Sequence, residues 1–280
     1  MDLCFFTAEA TADGELLHPT DLSRSLWSAD QLHGVAISGA LARGMERAMT
    51  RTDLRPARWT VDLFMPALVR PTTIETSVLR EGKRLMLVES RFVQEGEVRA
   101  RATCIWLLPS QEPDGEVWEP TDLPAPPPTD VVPVMEGPAV PWFKSAVDWS
   151  QDFKAHQNSG RHHNWTYVVP VVKDEELTPF EAVAAAADST SMVCNWGSRG
   201  VQYINTDITL SLSRLPRTPE IGLRAEHRSG HDGIAVGVAT VHDRDGVIGQ
   251  SMVTALVNSR RTVDFDEHDL GDDGERTSRA

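Results

Sequence analysis

The same order of elements, a helix followed by strand-rich chain with regularly spaced turns, can be read twice in this sequence, once on each side of a stretch dense in proline. Ten of the 18 prolines fall between Pro109 and Pro141, with Pro126, Pro127 and Pro128 in a run. Proline at this density cannot sit inside a helix or a sheet interior, so the stretch is expected to be an extended linker. In the first half the pattern predicts a helix over about Ala36 to Met49. Strands are then predicted around Trp59 to Met65, Thr73 to Leu79, Leu85 to Val93 and Val98 to Leu107, the last pair turning at Glu95-Gly96. In the second half Thr178-Pro179-Phe180-Glu181 reads as a capping box with proline at the first helical position, and the helix it starts is expected to run to about Val193. Strands follow around Gln202 to Ser213, Glu220 to His227, Gly233 to His242 and Val247 to Val257, with Asp245-Gly246 as the matching turn. Sliding one half on the other brings Asp62 onto Asp207 and Pro71 onto Pro216 at an offset of 145, and Gly96 onto Gly246 at 150. An internal duplication accounts for that agreement.

Both helices are slim. Ala36, Gly39, Ala40, Ala42 and Gly44 in the first, and Ala182 with Ala184 to Ala187 in the second, would let an antiparallel sheet enclose each helix. The expected division is one unit over 1–108, the proline-rich linker over 109–141, a second unit over 142–260 and a tail over 261–280. From Asp264 onward that tail holds seven acidic residues and one aromatic, Phe265, a composition that opposes ordering.

The net charge of -14, from 41 acidic and 27 basic residues, argues against nucleic acid as a partner. No apolar run approaches the roughly 18 residues of a membrane helix, and Leu3 to Thr7 is too short for a signal-peptide core, so a cytoplasmic protein is expected. Cys4, Cys104 and Cys194 share no ligand spacing and read as reduced thiols. Arg161-His162-His163 is a poor metal site, because adjacent histidines in a strand diverge, and no metal or other cofactor is expected. Neither a Gly-x-Ser-x-Gly elbow nor a phosphate-binding glycine loop is present.

Two local features suit acyl chemistry. Asp188 follows a run of alanines in a helix expected to be enclosed, where a carboxylate is costly unless it has partners or work. His33-Gly34 precedes the first helix, where free N–H groups and the helix dipole favour negative charge. Asp188 could also lie on a solvent-facing side, and His-Gly could be a simple turn.

With Trp27-Ser28-Ala29-Asp30-Gln31-Leu32-His33-Gly34, Asp188 in its alanine-rich helix, Tyr203-Ile204-Asn205-Thr206-Asp207-Ile208-Thr209 and Asp243-Arg244-Asp245-Gly246-Val247-Ile248-Gly249, the chain resembles the double-hotdog acyl-CoA thioesterases over roughly Trp27 to Val257. The resemblance implies an α+β fold, a tandem double hotdog in which each half is a long central helix wrapped by a curled antiparallel sheet. It implies hydrolysis of acyl-CoA to free acid and CoA. Asp188 would activate or orient water, Asn205 or Thr206 would help it, and the amides at His33 and Gly34 would hold the oxyanion. Alternation lets only one of Asn205 and Thr206 reach Asp188. The family's second glycine is Val35 here. Its glutamine on the last strand falls near Val253 or Thr254, and Gln250, the nearest glutamine, should lie on the opposite face from Val253. At an offset of 146 His33 corresponds to Pro179 and Asp188 to Ala42, which implies one composite site between the halves. Association of copies through the sheets is left open. A hydratase on the same fold would pair an aspartate with a nearby histidine, and neither half has that pair; a non-catalytic acyl-CoA or acyl-chain binder is the alternative.

Overall fold

A computed structural model of the chain describes residues 3–12 and 14–266, together with the backbone of two short strands, His268–Leu270 and Arg276–Ser278, which pair antiparallel. The elements in chain order are β1 (Phe6–Thr11), β2 (Gly14–Pro19), α1 (Gly34–Ala48), β3 (Arg55–Asp62), β4 (Thr73–Glu81), β5 (Leu85–Gln94), β6 (Glu97–Leu107), β7 (Trp142–Lys144), β8 (His163–Tyr167), α2 (Pro179–Ala186), α3 (Ser189–Asn195), β9 (Trp196–Gly197), β10 (Gly200–Val201), β11 (Tyr203–Asn205), β12 (Asp207–Leu212), β13 (Glu220–His231), β14 (Ile234–Asp243) and β15 (Gly246–Val257). The fold is α+β: one large antiparallel sheet and few helices. No helix among the described residues is long and apolar enough to cross a membrane.

The sheet runs β4-β5-β6-β3-β12-β15-β14-β13-β8-β7, with β11 also paired to β15. Its middle is the seam between β3 and β12, where Thr60 faces Thr209. Outward from the seam the order is the same on both sides. A shift of 149 carries the pair Thr60–Thr103 onto Thr209–Met252, and the pair Val88–Cys104 onto Gly237–Val253. That shift corrects the offset of 145 read from Asp62 and Asp207. Those two residues are not equivalents; they are cross-strand neighbours at the end of the seam.

The helices start as their capping residues dictate. The Thr178 side chain accepts from the Glu181 N–H while Glu181 reaches back to the Thr178 N–H, so α2 begins at Pro179 as expected. The single helix expected from there to about Val193 is instead two, α2 and α3, separated at Ala187 and Asp188 by bonds to the third residue back: Asp188 N–H to Ala185 O at 3.3 Å, Thr190 N–H to Ala187 O at 3.1 Å and Ser191 N–H to Asp188 O at 3.1 Å. α1 runs antiparallel to this pair, with Gly34 beside Asp188, Gly39 beside Ala185 and Glu46 bonded to Thr178. A Cβ on Gly39 would lie 3.6 Å from the Ala185 methyl, so the alanine and glycine stripe sets how closely the helices approach. The contact is part of one apolar core shared by both halves, including Leu41, Met45, Trp59, Phe92, Phe180 and Ile208. Burial of each such large side chain contributes roughly 1.5–3 kcal/mol.

The hairpin β1–β2 and strands β7 and β8 had no sequence expectation. The hairpin β1–β2 packs Phe6 and Leu17 into the core and is tied down by Arg43 of α1, a buried guanidinium bonded to Glu15 at 2.7 Å and to Glu175 at 2.6 Å. Strands β7 and β8 extend the second half beyond β13. The stretch 109–141 carries neither helix nor strand, and its Val132 is buried against Trp149 and Trp165. Phe265 requires a correction, because the tail was expected to fray from Asp264. It is 1% exposed and packs on Trp196 and Phe153, with ring centroids 4.8 and 5.0 Å away. One large aromatic outweighs the polar composition around it locally. Beyond Asp266 the expected tail lies outside the described residues, apart from the backbone of the two short strands.

Candidate active site

The first turn of α1 is built around His33. Its ring Nδ1 accepts from the Ala36 N–H at 3.0 Å, and its Nε2 donates to the Leu22 carbonyl at 2.7 Å. Accepting on one nitrogen and donating from the other fixes a neutral tautomer, so His33 serves as a helix cap. Its own N–H donates to the Ser23 carbonyl at 2.9 Å, which corrects the expectation that the His33 amide is free to bind an oxyanion. The Gly34 N–H, at the first helical position, has no partner among the described residues.

Against this helix start stands Asp188. There is no room for a side chain on Gly34, since a Cβ there would overlap the Asp188 carboxylate. Asn205 Nδ2 donates to its Oδ1 at 2.9 Å, and the Val35 N–H lies near enough to that carboxylate to favour its charged form. Burial disfavours the charged form more strongly than these two groups favour it, and the Asp188 pKa rises to about 6. The side chain keeps partial exposure toward a cavity of about 790 Å³, also lined by Trp27, Phe64, Met65, Thr206 and Thr254. A carboxylate that titrates about one unit below neutrality, with donors on one side and a cavity on the other, can accept a proton from a water in that cavity.

Asn205 and Thr206 part company as alternation requires. Asn205 ends β11 and reaches Asp188. Thr206 lies between β11 and β12, and the single proton of its hydroxyl is shared between the Thr254 carbonyl at 3.2 Å and Asp207 Oδ1 at 3.3 Å. It lines the cavity without touching the acid. On β15, Ser251 bonds Thr190 at 2.7 Å and Ala255 faces Asn205, so Val253 lies between them on the same face of the strand. Val253 is fully buried, and a Cβ on Gly237 would lie 3.6 Å from its Cγ2. Gln250, exposed and paired with Ser211, points the other way.

The sequence reading missed two contributors. The Val35 N–H lies by the carboxylate because its helix position matters more than its side chain. The strand expected around Trp59 to Met65 ends at Asp62, and the chain from there to Ala67 instead brings Phe64 and Met65 to the cavity. Elsewhere, His162 donates to the His156 carbonyl at 2.7 Å and stacks on Trp196. Among the described residues no group of three His, Cys, Asp or Glu side chains is placed to hold a metal.

Comparison with known proteins agrees over most of the length. The family described as "Acyl-CoA thioesterase N-terminal domain" matches residues 23–107, and "Acyl-CoA thioesterase C-terminal domain" matches 119–257. A tesB protein of Mycobacterium avium subspecies paratuberculosis is similar in structure at 15% identity, with 89% of this chain and 95% of that one covered and a TM-score of 0.64. A conserved protein of unknown function with a hot dog fold from Alicyclobacillus acidocaldarius gives 19% identity, the same coverages and the same TM-score of 0.64. Acyl-CoA thioesterase II TesB2 from Mycobacterium marinum gives 15% identity, coverages of 80% and 90%, and a TM-score of 0.57. These likenesses establish a hotdog fold. No curated protein matches the chain.

Proposed function

The chain belongs to the acyl-CoA thioesterase family, whose members are thioester hydrolases, and from that premise we propose that it hydrolyses acyl-CoA at one composite site between two hotdog units. The observation that carries the reading is the Asp188 carboxylate held by Asn205 near the Val35 N–H at the start of α1. In this reading Asp188 takes a proton from water, and the hydroxide attacks the thioester carbonyl carbon. The carbonyl oxygen, now an oxyanion, accepts from the Gly34 N–H. Collapse of the tetrahedral intermediate breaks the C–S bond, and the CoA thiolate takes up the proton. The carboxylate and Asn205 come from the second unit, and the helix start comes from the first.

The tandem architecture is part of the proposal, with units over 1–108 and 142–260 joined by 109–141, and so is a cytoplasmic location. The repeated strand order and the constant shift of 149 support it. The helix starts capped by His33 and Thr178 stand 145 apart, one less than the 146 read from the sequence, which carries Gly34 to Pro179 and Asp188 to Arg43, the place where an equivalent second site would lie. Phe180 there is fully buried, edge-on to Trp106 at 5.4 Å between centroids. A packed core in place of a cavity favours one site.

Release of free CoA thiol from a panel of acyl-CoAs tests the activity, and titration with a non-hydrolysable acyl-CoA analogue tests the count, with one equivalent bound per chain expected. Two equivalents would defeat the single-site reading. Val253, standing where the resemblance places a glutamine, favours one alternative, a non-catalytic acyl-CoA or acyl-chain binder. Binding without thiol release would select it.

A further inference from the structure

The cavity at Asp188 has no lysine or arginine in its lining, while Asp62, Asp188 and Asp207 all border it. It is a poor place for the anionic part of any ligand. A second groove, of about 540 Å³, opens at the far end of α3. Tyr203 borders this groove and Asn205 borders the cavity, and the two lie two residues apart on β11, on the same face of the strand. Asn195 on the groove wall follows Asp188 by the length of α3, about 10 Å at 1.5 Å per residue.

The groove is cationic in a chain that is otherwise strongly acidic. Arg161, Arg199 and Arg228 line it. Its one carboxylate, Glu226, is held by Arg224 at 2.7 Å and stands 3.9 Å from Arg161. Arg199 and Arg228 have no carboxylate partner among the described residues. Arg228 is nonetheless held in place, with its guanidinium over the Tyr203 ring at 4.9 Å and its Nε donating to Asn195 Oδ1 at 3.1 Å. That bond orients the Asn195 amide, whose Nδ2 is buried and has no partner among the described residues. Asn195 is only 6% exposed, so an unpaired donor there is costly unless something else accepts from it.

We propose that this groove is an anion subsite for the same thioester ligand, taking a phosphate or carboxylate group that lies about the length of α3 from the reacting carbonyl. Arg228 and Arg199 supply charge-assisted hydrogen bonds to the anionic oxygens, and Asn195 holds the Arg228 guanidinium in place for them. Two parts of an acyl-CoA carry such a group: the nucleotide end, reached through the pantetheine arm, and a carboxylate at the far end of a dicarboxylic acyl chain. The proposal rests on the thioester reading of the Asp188 site.

Calorimetry on the intact chain separates these sources. The first pair of probes is CoA and pantetheine. The second is a pair of non-hydrolysable acyl-pantetheine analogues, one ending in a methyl group and the other in a carboxylate. In one pair the anionic member should bind at least about tenfold more tightly, and that pair names the source. Arg228→Ala and, separately, Arg199→Ala, an exposed residue whose loss should not disturb folding, should each remove most of that advantage and leave the uncharged member unchanged. Equal affinities within both pairs, or an advantage that survives both substitutions, overturns the proposal. Binding does not depend on turnover. An anion-dependent gain without release of CoA from acyl-CoA would therefore defeat the hydrolytic reading and leave the subsite standing.

Discussion

Gly34 and Asp188 stand in such close contact that the carboxylate of one occupies the space a side chain on the other would need. A Gly34→Ala substitution ought to be neutral or slightly favourable for α1, since alanine exceeds glycine by about 1 kcal/mol in a helix interior. At this position the methyl must push Asp188 away from the Val35 N–H and Asn205. We expect Gly34→Ala to keep its melting temperature within a few degrees and lose about 100-fold or more in kcat. Steady-state thiol release and a thermal melt check both; full activity would mean that the contact has no part in the chemistry.

Asp188→Asn should fold and lose about 100-fold or more in turnover, the usual cost of removing an acid–base group. It should also be more stable than the parent at high pH. The folded-state pKa of about 6 lies above the ordinary aspartate value of 3.8, so parental stability falls as pH rises through the window between them and stays reduced above it. The asparagine variant has no such loss. Thermal melts at pH 5 and pH 8 should show its advantage growing with pH, on the order of 1–3 kcal/mol.

The same carboxylate is expected to set the acid limb of activity. With Asp188 as base, kcat/KM should fall about tenfold per pH unit below about 6 and level off above it. Asn205 donates to the ionised form and so holds the pKa down. Asn205→Ala should move the limb to higher pH, and a limb that stays in place would remove Asn205 from the site's electrostatics.

How much of this was legible in the sequence depended on whether the signal was local. The start of α2 was, because Thr178, Pro179 and Glu181 act within one turn. The choice between Asn205 and Thr206 reduced to strand alternation, and only the hydrogen bond to Asp188 decided which faced inward. The break at Asp188 was hidden because four alanines before it favour helix on both sides. The hairpin β1–β2 was invisible, since its burial depends on partners such as Val172 and Thr72, far along the chain. Phe265 was misjudged because averaging over a polar tail conceals one aromatic that meets Trp196.

Val253→Gln should raise turnover. The side chain would enter β15 between Ser251 and Ala255, on the face that Asn205 shares, where an amide could help orient the attacking water. Burying it without partners costs about 1–3 kcal/mol, so a lower melting temperature is expected alongside the gain. An unchanged rate would count against this placement.

Phe265→Ala should destabilise the protein by about 3 kcal/mol, a typical loss for a fully buried phenylalanine. The aromatic cluster it leaves meets the Asp188 cavity through Trp27 but holds none of the groups on the carboxylate, so denaturant unfolding should register the change while kcat falls far less than in Asp188→Asn.

The seam between β3 and β12 has a mechanical consequence. Thr60 facing Thr209 and Trp59 facing Leu210 belong to a ladder in which a slip of one residue would turn every side chain to the wrong face. Sliding of one half along the other is thus quantised: small displacements break bonds without forming new ones, and the next matching register is two residues away. Because the start of α1 and Asp188 belong to opposite sides of that ladder, their separation behaves as a fixed dimension of the molecule. Ligands of different bulk then meet a gap between halves that keeps its gauge, with Phe64 and Met65 exposed at its rim.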